Sequence, residues 1–566
     1  MPPPKAPQVH AKPKKSMERG WIFAGFIAAV YLAFQVYAPA LHGPFVFDDL
    51  DLPYYKGLPG GFWPWVSGVR PLLMFSYWVN YACSASAFGF RVVNVGIHVI
   101  NTALVFLILR KLLNQAGQDS PWLAAFGGAV FLLHPIQTES VAYVAGRSEC
   151  LSALFFLAAF AVFLYRRPAA ANWGTAIAVL VLFGGALATK EHTLVLPGLL
   201  LLTDYYWNPG FSWSGIRGNW RIYTPAAVLG MAALGFVASM LAHARTAGFG
   251  IAGLTWYQYL FTECRAFFVY LRLLVFPAGQ NVDWDFPISR NIMDHGASLG
   301  LAGILLLVGA AWYCRRRYAL ASYGFLVYVL LLLPTSSFVP IKDPVAERRL
   351  YLPMVGMLLV AIAGLSRLRI GRRPLAAAGC SIVALLAVVT YQRNELWGND
   401  IRLWEDAVRK SPGKARVHSQ MAFTYYIHGN CRDAAAEYAG AALLQKPDSH
   451  QLVDWGLADE CDGDPAGAVA KLQEAAAQKP TAHVYSQIGL VYARQSQWPE
   501  ALAALAQAEK IDAGYAMTYC YRGGVRAATG DFAAAVAEYR RALSCDPANP
   551  LARQGLAYAQ QQLSRR

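Results

Sequence analysis

Long apolar runs recur through the first two-thirds of the chain, at residues 21–41, 92–109, 151–165, 173–188, 222–241, 299–313, 320–333, 351–365 and 375–391. A bilayer span needs roughly 20 mostly apolar residues, and a water-soluble core is built from amphipathic pieces instead. The runs therefore predict a polytopic membrane domain. Composition agrees: 56% of residues are hydrophobic and 15% charged, where a soluble chain carries about a quarter charged. Two shorter runs, 122–133 and 193–202, count as spans too and bring the total to about eleven. Residues 257–276 carry Glu263, Arg265 and Arg272. Three charges are costly inside a bilayer, so this segment is read as a re-entrant or interfacial helix.

The net charge of +15 reads as topology, because no basic patch interleaved with stacking aromatics suggests nucleic acid. Residues 1–20 are Pro- and Lys-rich and expected to be disordered. The run 21–41 is longer than a signal-peptide core and lacks a small-x-small cleavage site, so it reads as an uncleaved first span. Lys12, Lys14, Lys15 and Arg19 place the N-terminus in the cytoplasm. An eleven-span domain over 21–392 then puts Arg110–Lys111, Arg166–Arg167, Arg217–Arg221, Arg315–Arg317 and the arginines of 367–373 on that same side. It puts the C-terminal part outside, in a periplasm or an equivalent lumen.

Residues 397–566 are polar and repetitive. Pro412, Pro447, Pro480, Ala513 and Pro547 recur at about 34 residues, the period of tetratricopeptide (TPR) helix hairpins. Gly489 and Tyr492 fall on a first helix and Ala501 and Ala508 on a second. Gly523, the turn Thr529-Gly530-Asp531, Ala535, Tyr539 and Ala542 repeat the pattern. The fold class expected is all-α, a membrane bundle followed by a TPR solenoid whose groove takes an extended peptide or a partner protein.

The 9 cysteines have no metal-ligand spacing. Two TPR pairs, Cys520 with Cys545 and Cys431 with Cys461, lie at neighbouring helix ends. Either pair could form a disulfide in an oxidising compartment, or all four could be buried free thiols.

Four polar elements fall at the outer boundary on this topology. The first is the loop with Asp48, Asp49 and Asp51. A carboxylate there can take the proton of an attacking hydroxyl, and a second can tune or orient the first. The second runs from His134 through Glu139 to Arg147 and Glu149, the third is Thr189-Lys190-Glu191-His192, and the fourth is Lys342-Asp343 followed by Glu347-Arg348-Arg349 and Tyr351. Cations at the outer face, where they are disfavoured, suit an anionic phosphate leaving group. Taken singly, each element also reads as a solvated loop, a capped helix start or a headgroup contact.

At these residues the chain resembles the transmembrane-and-TPR (TMTC-like) family of protein O-mannosyltransferases and, more widely, GT-C-type glycosyltransferases. The matching pieces are Phe45-Val-Phe-Asp48-Asp49, Arg70-Pro71 with Asn80-Tyr81, Gly89-Phe-Arg91 with Asn94, His98 and Asn101, His134-Pro135 with Thr138-Glu139 and Gly146-Arg147, Lys190-Glu191, and Glu347-Arg348 with Tyr351-Leu-Pro353. The resemblance implies a polyprenyl-phosphate sugar as donor, mannose or a similar hexose, and Ser/Thr hydroxyls of proteins as acceptor. It implies inversion in one displacement, with Asp48 as base and Asp49 as its neighbour; Glu139 of the second polar element is a further catalytic candidate. For the donor phosphate it points to Arg147, Lys190, Arg348 and Tyr351, and the polar elements add His134 and Arg349 as donor-binding candidates. The few repeats suggest a bacterial member in the inner membrane that uses undecaprenyl phosphate. The loop Asn281-Val-Asp283-Trp-Asp285 is hard to align with the family. No cofactor is expected, and a divalent ion at the acidic loop stays open, as do the sugar, the acceptors, the lipid carrier and the oligomeric state.

Three alternatives are weighed. A membrane-anchored TPR scaffold for envelope or pilus assembly would need one anchor rather than eleven. A transporter would place ionisable residues near the bilayer midplane. A ligase of lipid-linked glycans shares the architecture and differs only in donor length.

Overall fold

The computed structural model describes residues 15–52, 62–66, 68–166, 169–243 and 246–565. Among these the chain is helical and carries no strand, only an isolated bridge between Ala247 and Ile341. It divides into two compact units, Met1–Leu403 and Trp404–Arg566.

The first unit comprises α1 (Lys15–Leu41), α2 (Pro71–Cys83), α3 (Ala87–Gln115), α4 (Pro121–Leu133), α5 (Arg147–Tyr165), α6 (Trp173–Leu187), α7 (Leu196–Trp207), α8 (Trp220–His243), α9 (Trp256–Val275), α10 (Ala297–Tyr313), α11 (Ala319–Leu332), α12 (Met354–Leu365) and α13 (Arg372–Trp397). Among the described residues, six segments are long and apolar enough to cross a membrane, in α1, α3, α5, α8, α10 and α13, and α4, α6, α11 and α12 are shorter apolar helices. The expected span at 193–202 opens on a 3-10 turn, Glu191–Val195, and continues as the 12-residue α7, whose Asp204 carboxylate is buried with Arg166 at 2.5 Å. The segment expected to be interfacial is one continuous 20-residue helix, α9. Residues 1–14 of the expected disordered terminus lie outside the described residues, and from Lys15 onward the chain is already helical.

Burial sorts these helices. The apolar window of α5 is 72% buried and that of α3 56%, against 6% for α8 and for α13. So α3 and α5 form the centre, and the outer helices present Val228, Met231, Leu234, Leu306 and Leu385 outward, as a lipid-facing surface does. Without a hydrophobic drive in lipid, close backbone approach matters more. At the crossing of α11 and α12 a Cβ on Gly324 would lie 2.6 Å from the Gly356 carbonyl. Polar ties add direction: Thr390 donates to the Leu133 carbonyl (2.6 Å) and Asn394 to the Val36 carbonyl (3.0 Å), fixing α13 to α4 and α1.

The second unit is a run of hairpins: α14 (Ala415–Ile427) with α15 (Cys431–Leu444), α16 (Ser449–Cys461) with α17 (Pro465–Gln478), α18 (Ala482–Arg494) with α19 (Trp498–Ile511), α20 (Ala516–Ala528) with α21 (Phe532–Cys545), then α22 (Pro550–Ser564). The small residues sit at the crossings: a Cβ on Gly489 would meet Leu505 at 2.6 Å, and one on Gly523 the Tyr539 ring at 2.9 Å. Cys431 and Cys461 form a disulfide between successive hairpins. The other expected pair is not bonded: Cys520 is buried inside α20, and both it and Cys545 are free thiols.

Candidate active site

The acidic loop is a 3-10 turn, Phe47–Asp51, directly after α1. Phe47 has φ +54°, a backbone state non-glycine residues rarely adopt. The two carboxylates that follow part ways. Asp48 is exposed, and its backbone N–H donates to the Tyr143 hydroxyl at 2.8 Å. Asp49 is fully buried and accepts from the amides of Val46 (3.2 Å) and Ala145 (2.8 Å). Burial pushes the Asp49 carboxyl up to about 7, against the Val46 amide and the Arg91 guanidinium.

Arg91 holds the same loop from below. It is fully buried in the second turn of α3, and its guanidinium donates to the carbonyls of Gly43, Pro44 and Ala142. Next to it, Asn94 donates to the Tyr143 carbonyl (3.2 Å) and accepts from Arg147 Nε (2.8 Å). Arg147 donates further to Asn80 (2.6 Å), to the Phe90 carbonyl (2.9 Å) and to the Ser76 carbonyl (3.2 Å), and its plane lies over Tyr77 and Phe90. Read from the sequence as a phosphate ligand, Arg147 is wholly enclosed and packed among protein acceptors. It locks α2, α3 and α5 together.

Tyr351 and Arg349 are also built inward. The Asn101 amide donates to the Tyr351 hydroxyl (3.0 Å), which lies 2.7 Å from His98 Nδ1, while His98 Nε2 faces the Leu132 carbonyl at 3.1 Å. With Nε2 carrying the proton, Nδ1 accepts from Tyr351. Arg349 donates to the Pro344 carbonyl (2.7 Å) and the Tyr259 hydroxyl (3.2 Å) and lies 3.4 Å from Glu263. His134 caps the turn Pro135–Gln137 by accepting from the Ile136 amide at 3.2 Å, with Nε2 on the Leu274 carbonyl. Burial lowers its pKa to about 4, so the ring is neutral.

The cations that keep solvent contact are others. Arg348 retains 25% exposure; its backbone N–H donates to Glu139 Oε2 at 2.9 Å and its guanidinium to Oε1 at 2.5 Å. Burial works against its charge, and Glu139 more than restores it, so its pKa is raised. Lys190 donates to Glu149 and to the Ser148 hydroxyl (3.2 Å). Burial lowers its pKa, Glu149 opposes, and Arg70 and Arg348 add to the lowering. Arg70 grips Glu191 with two bonds, 2.8 and 2.9 Å, and is 38% exposed. Arg348, Lys190 and Arg70 thus share one electrostatic neighbourhood, and Tyr143, which touches Asp48, feels Arg348 as well.

The sequence reading gave no role to Arg91, Asn94 and Glu347, which it named only within motifs, and it missed Gln280 as the partner of Glu347. Glu347 is buried and accepts from Gln280 Nε2 and the Asn281 amide, both at 2.6 Å. Gln280 also donates to the Pro135 carbonyl at 3.0 Å, joining three loops at one point. Burial raises the Glu347 carboxyl to about 7, with Arg393 opposing and Glu139 adding. A signal for Arg91 was present: a charge inside a long apolar helix. For Gln280 there was none.

No family model matches the chain. Among known proteins it is 24% identical over 448 residues to a protein O-mannosyl-transferase of Caenorhabditis elegans, covering 73% of this chain and 62% of that one. It is 26% identical to the protein O-mannosyl-transferase TMTC4 of Mus musculus (72% and 64%). It is 35% identical over 202 residues to Tmtc1 of Drosophila melanogaster (32% and 23%). The chain thus spans less than two-thirds of the length of these relatives. Among solved structures, the crystal structure of MamA matches with a TM-score of 0.25 at 22% identity, covering 28% of this chain and 91% of that one. A thermophilic TPR protein of Thermus thermophilus matches at 0.26 and 21% (32% and 95%). The chain is a homologue of proteins that carry the name protein O-mannosyl-transferase.

Proposed function

We propose that this chain is a GT-C-type membrane glycosyltransferase that moves a hexose, mannose by the names of its relatives, from a polyprenyl phosphate to Ser/Thr hydroxyls of proteins. The observation that carries the reading is that one exposed carboxylate, Asp48, and the part-exposed cations Arg348 and Lys190 lie on loops of the same unit, with Tyr143 feeling both Asp48 and Arg348. Asp48 takes the acceptor hydroxyl proton as the oxygen attacks the anomeric carbon. The bond from that carbon to the phosphate oxygen breaks on the opposite side, and the anomeric centre inverts. The lipid phosphate leaves with the electron pair and is held by Arg348 and Lys190. Asp49, Glu139, Arg147, Arg349 and Tyr351 act through position. Asp49 shapes the loop that presents Asp48, Glu139 aims Arg348, and the others hold the helices beneath.

The positive-inside rule supports an outer, periplasmic or lumenal, location for this face and for the TPR unit, which recruits the acceptor chain. The test is transfer of radiolabelled sugar from a panel of polyprenyl-phosphate sugars to envelope proteins by purified wild type and Asp48→Asn. Loss of transfer by about 100-fold or more in a folded Asp48→Asn is expected. Unchanged transfer would remove Asp48 as base.

A further inference from the structure

Three stretches of chain meet under the acidic loop: the end of α1, the segment between α4 and α5, and the end of α13. Their contact is apolar. Ala40, Val46, Ala142, Tyr143 and Trp397 are buried there, with Phe47 packed against them. Two glycines let the backbones touch. A Cβ on Gly43 would collide with the Trp397 carbonyl, and one on Gly398 would lie 2.5 Å from the Pro39 carbonyl. Gly43 is held from its other side as well, because its carbonyl accepts from Arg91.

Tyr143 stands in the middle of this contact. Its ring centre lies 5.7 Å from that of Trp397 and 6.4 Å from that of Phe47, within the range of favourable aromatic pairs. Its carbonyl accepts from Asn94 at 3.2 Å. Ring and backbone are thus both fixed, and the hydroxyl meets the Asp48 amide at 2.8 Å. Burial raises the phenol pKa, Asp48 and Asp49 add to the rise, and Arg348 opposes, so the group stays a neutral hydroxyl. The Asp48 side chain itself is left exposed.

We propose that Tyr143 is a positioning residue for Asp48: braced against Trp397, its hydroxyl holds the Asp48 amide and so sets the point from which the carboxylate reaches the acceptor hydroxyl. The inference rests on the transferase reading above and deepens it at the base. The Asp49 carboxylate ties the loop to the Val46 and Ala145 amides, and Tyr143 ties the residue before it, so two neighbouring positions are pinned. A carboxylate on a pinned backbone has fewer orientations to lose, and misplacing a reacting group by about 1 Å can lower a rate on the order of 100-fold.

Tyr143→Phe removes one oxygen and keeps the ring. Purified full-length wild type, Tyr143→Phe, Asp48→Asn and the double variant are compared in nanodiscs by amide exchange over residues 43–52 and by sugar-transfer kinetics. In Tyr143→Phe the Asp48 amide is expected to exchange about tenfold faster. Its kcat is expected to fall about tenfold, with donor KM and thermal midpoint near wild type. The double variant is expected to transfer as slowly as Asp48→Asn and no slower, because a residue that acts through Asp48 has nothing left to position. A further fall in the double variant, as large as that in Tyr143→Phe alone, would make the hydroxyl independent of Asp48 and overturn the proposal. Unchanged exchange of the Asp48 amide would overturn it too, as would an unchanged kcat in Tyr143→Phe beside an impaired Asp48→Asn. Unchanged kcat in both single variants would remove the base assignment itself, and the proposal with it. Trp397→Ala keeps the hydroxyl but takes away its brace, and it is expected to free the same amide. Unchanged exchange there would overturn the part given to Trp397.

Discussion

Glu139 holds Arg348 at two points, taking the backbone N–H on one carboxylate oxygen and the guanidinium on the other. The loop after α4 thereby sets both where the 347–351 turn lies and where its cation points. Glu139→Gln keeps the shape but surrenders the charge and one acceptor. It is expected to lower kcat/KM about 100-fold, roughly 2.7 kcal/mol of transition-state stabilisation. Glu139→Ala should also lower stability by roughly 3 kcal/mol, because it strands a largely buried guanidinium. Steady-state kinetics beside thermal unfolding of the same preparations separate the two effects.

Glu347 predicts a pH dependence. Its carboxyl titrates at about 7 in the fold against 4.5 in an unconstrained chain. Between those values the folded protein holds a proton that the unfolded chain has lost, so its contribution is full below about 4.5 and is lost as pH rises through 7. Asp49, raised to about 7, acts in the same direction. Apparent thermal midpoints should fall between pH 5 and pH 8, and Glu347→Gln should fall less steeply than wild type. An unaltered slope in Glu347→Gln would remove the assignment.

Arg147 distinguishes a frame from a ligand. Its donors reach Asn94, Asn80, and the Phe90 and Ser76 carbonyls. Lysine has no planar fork and cannot span them. Arg147→Lys is therefore expected to reduce folded yield several-fold, with donor KM near wild type in the fraction that folds. A normal yield with a raised donor KM would return Arg147 to the phosphate site.

The Cys431–Cys461 bond closes a loop with a sequence separation of 30. Cross-links of that length contribute roughly 3 kcal/mol. Cys431→Ser should lower the melting temperature of the TPR unit within the full chain, whereas Cys520→Ser should behave as a small core change. Protease nicking mapped by mass spectrometry reads the unit directly.

Much of this was legible in the sequence where the signal is local. Apolar runs mark the outer helices, and recurrent small residues mark the hairpin crossings, because both patterns repeat within one or two turns. The acidic loop and the Lys190 and Arg348 segments stood out for the same reason. Illegible features depend on partners far apart in sequence. Asp48 and Asp49 look equivalent until the positive φ at Phe47 turns one outward and the other onto the Ala145 amide. Arg147 looks like an outward cation until α2 and α3 close around it. Gln280 lies in a segment with no motif, and only the fold reveals that it bridges Pro135 and Glu347.

Order of synthesis sets when the proposed chemistry becomes possible. Asp48 emerges from the ribosome early, yet Arg348 and the turn that aims it are made only when most of the membrane unit has been threaded. A nascent chain with its first helices inserted carries Asp48 and Glu139 but lacks the Arg348 that Glu139 holds and the Gln280–Glu347 junction beside it. On the function proposed above, transfer would therefore begin late in biogenesis, with the arrival of residues 280 and 347–351.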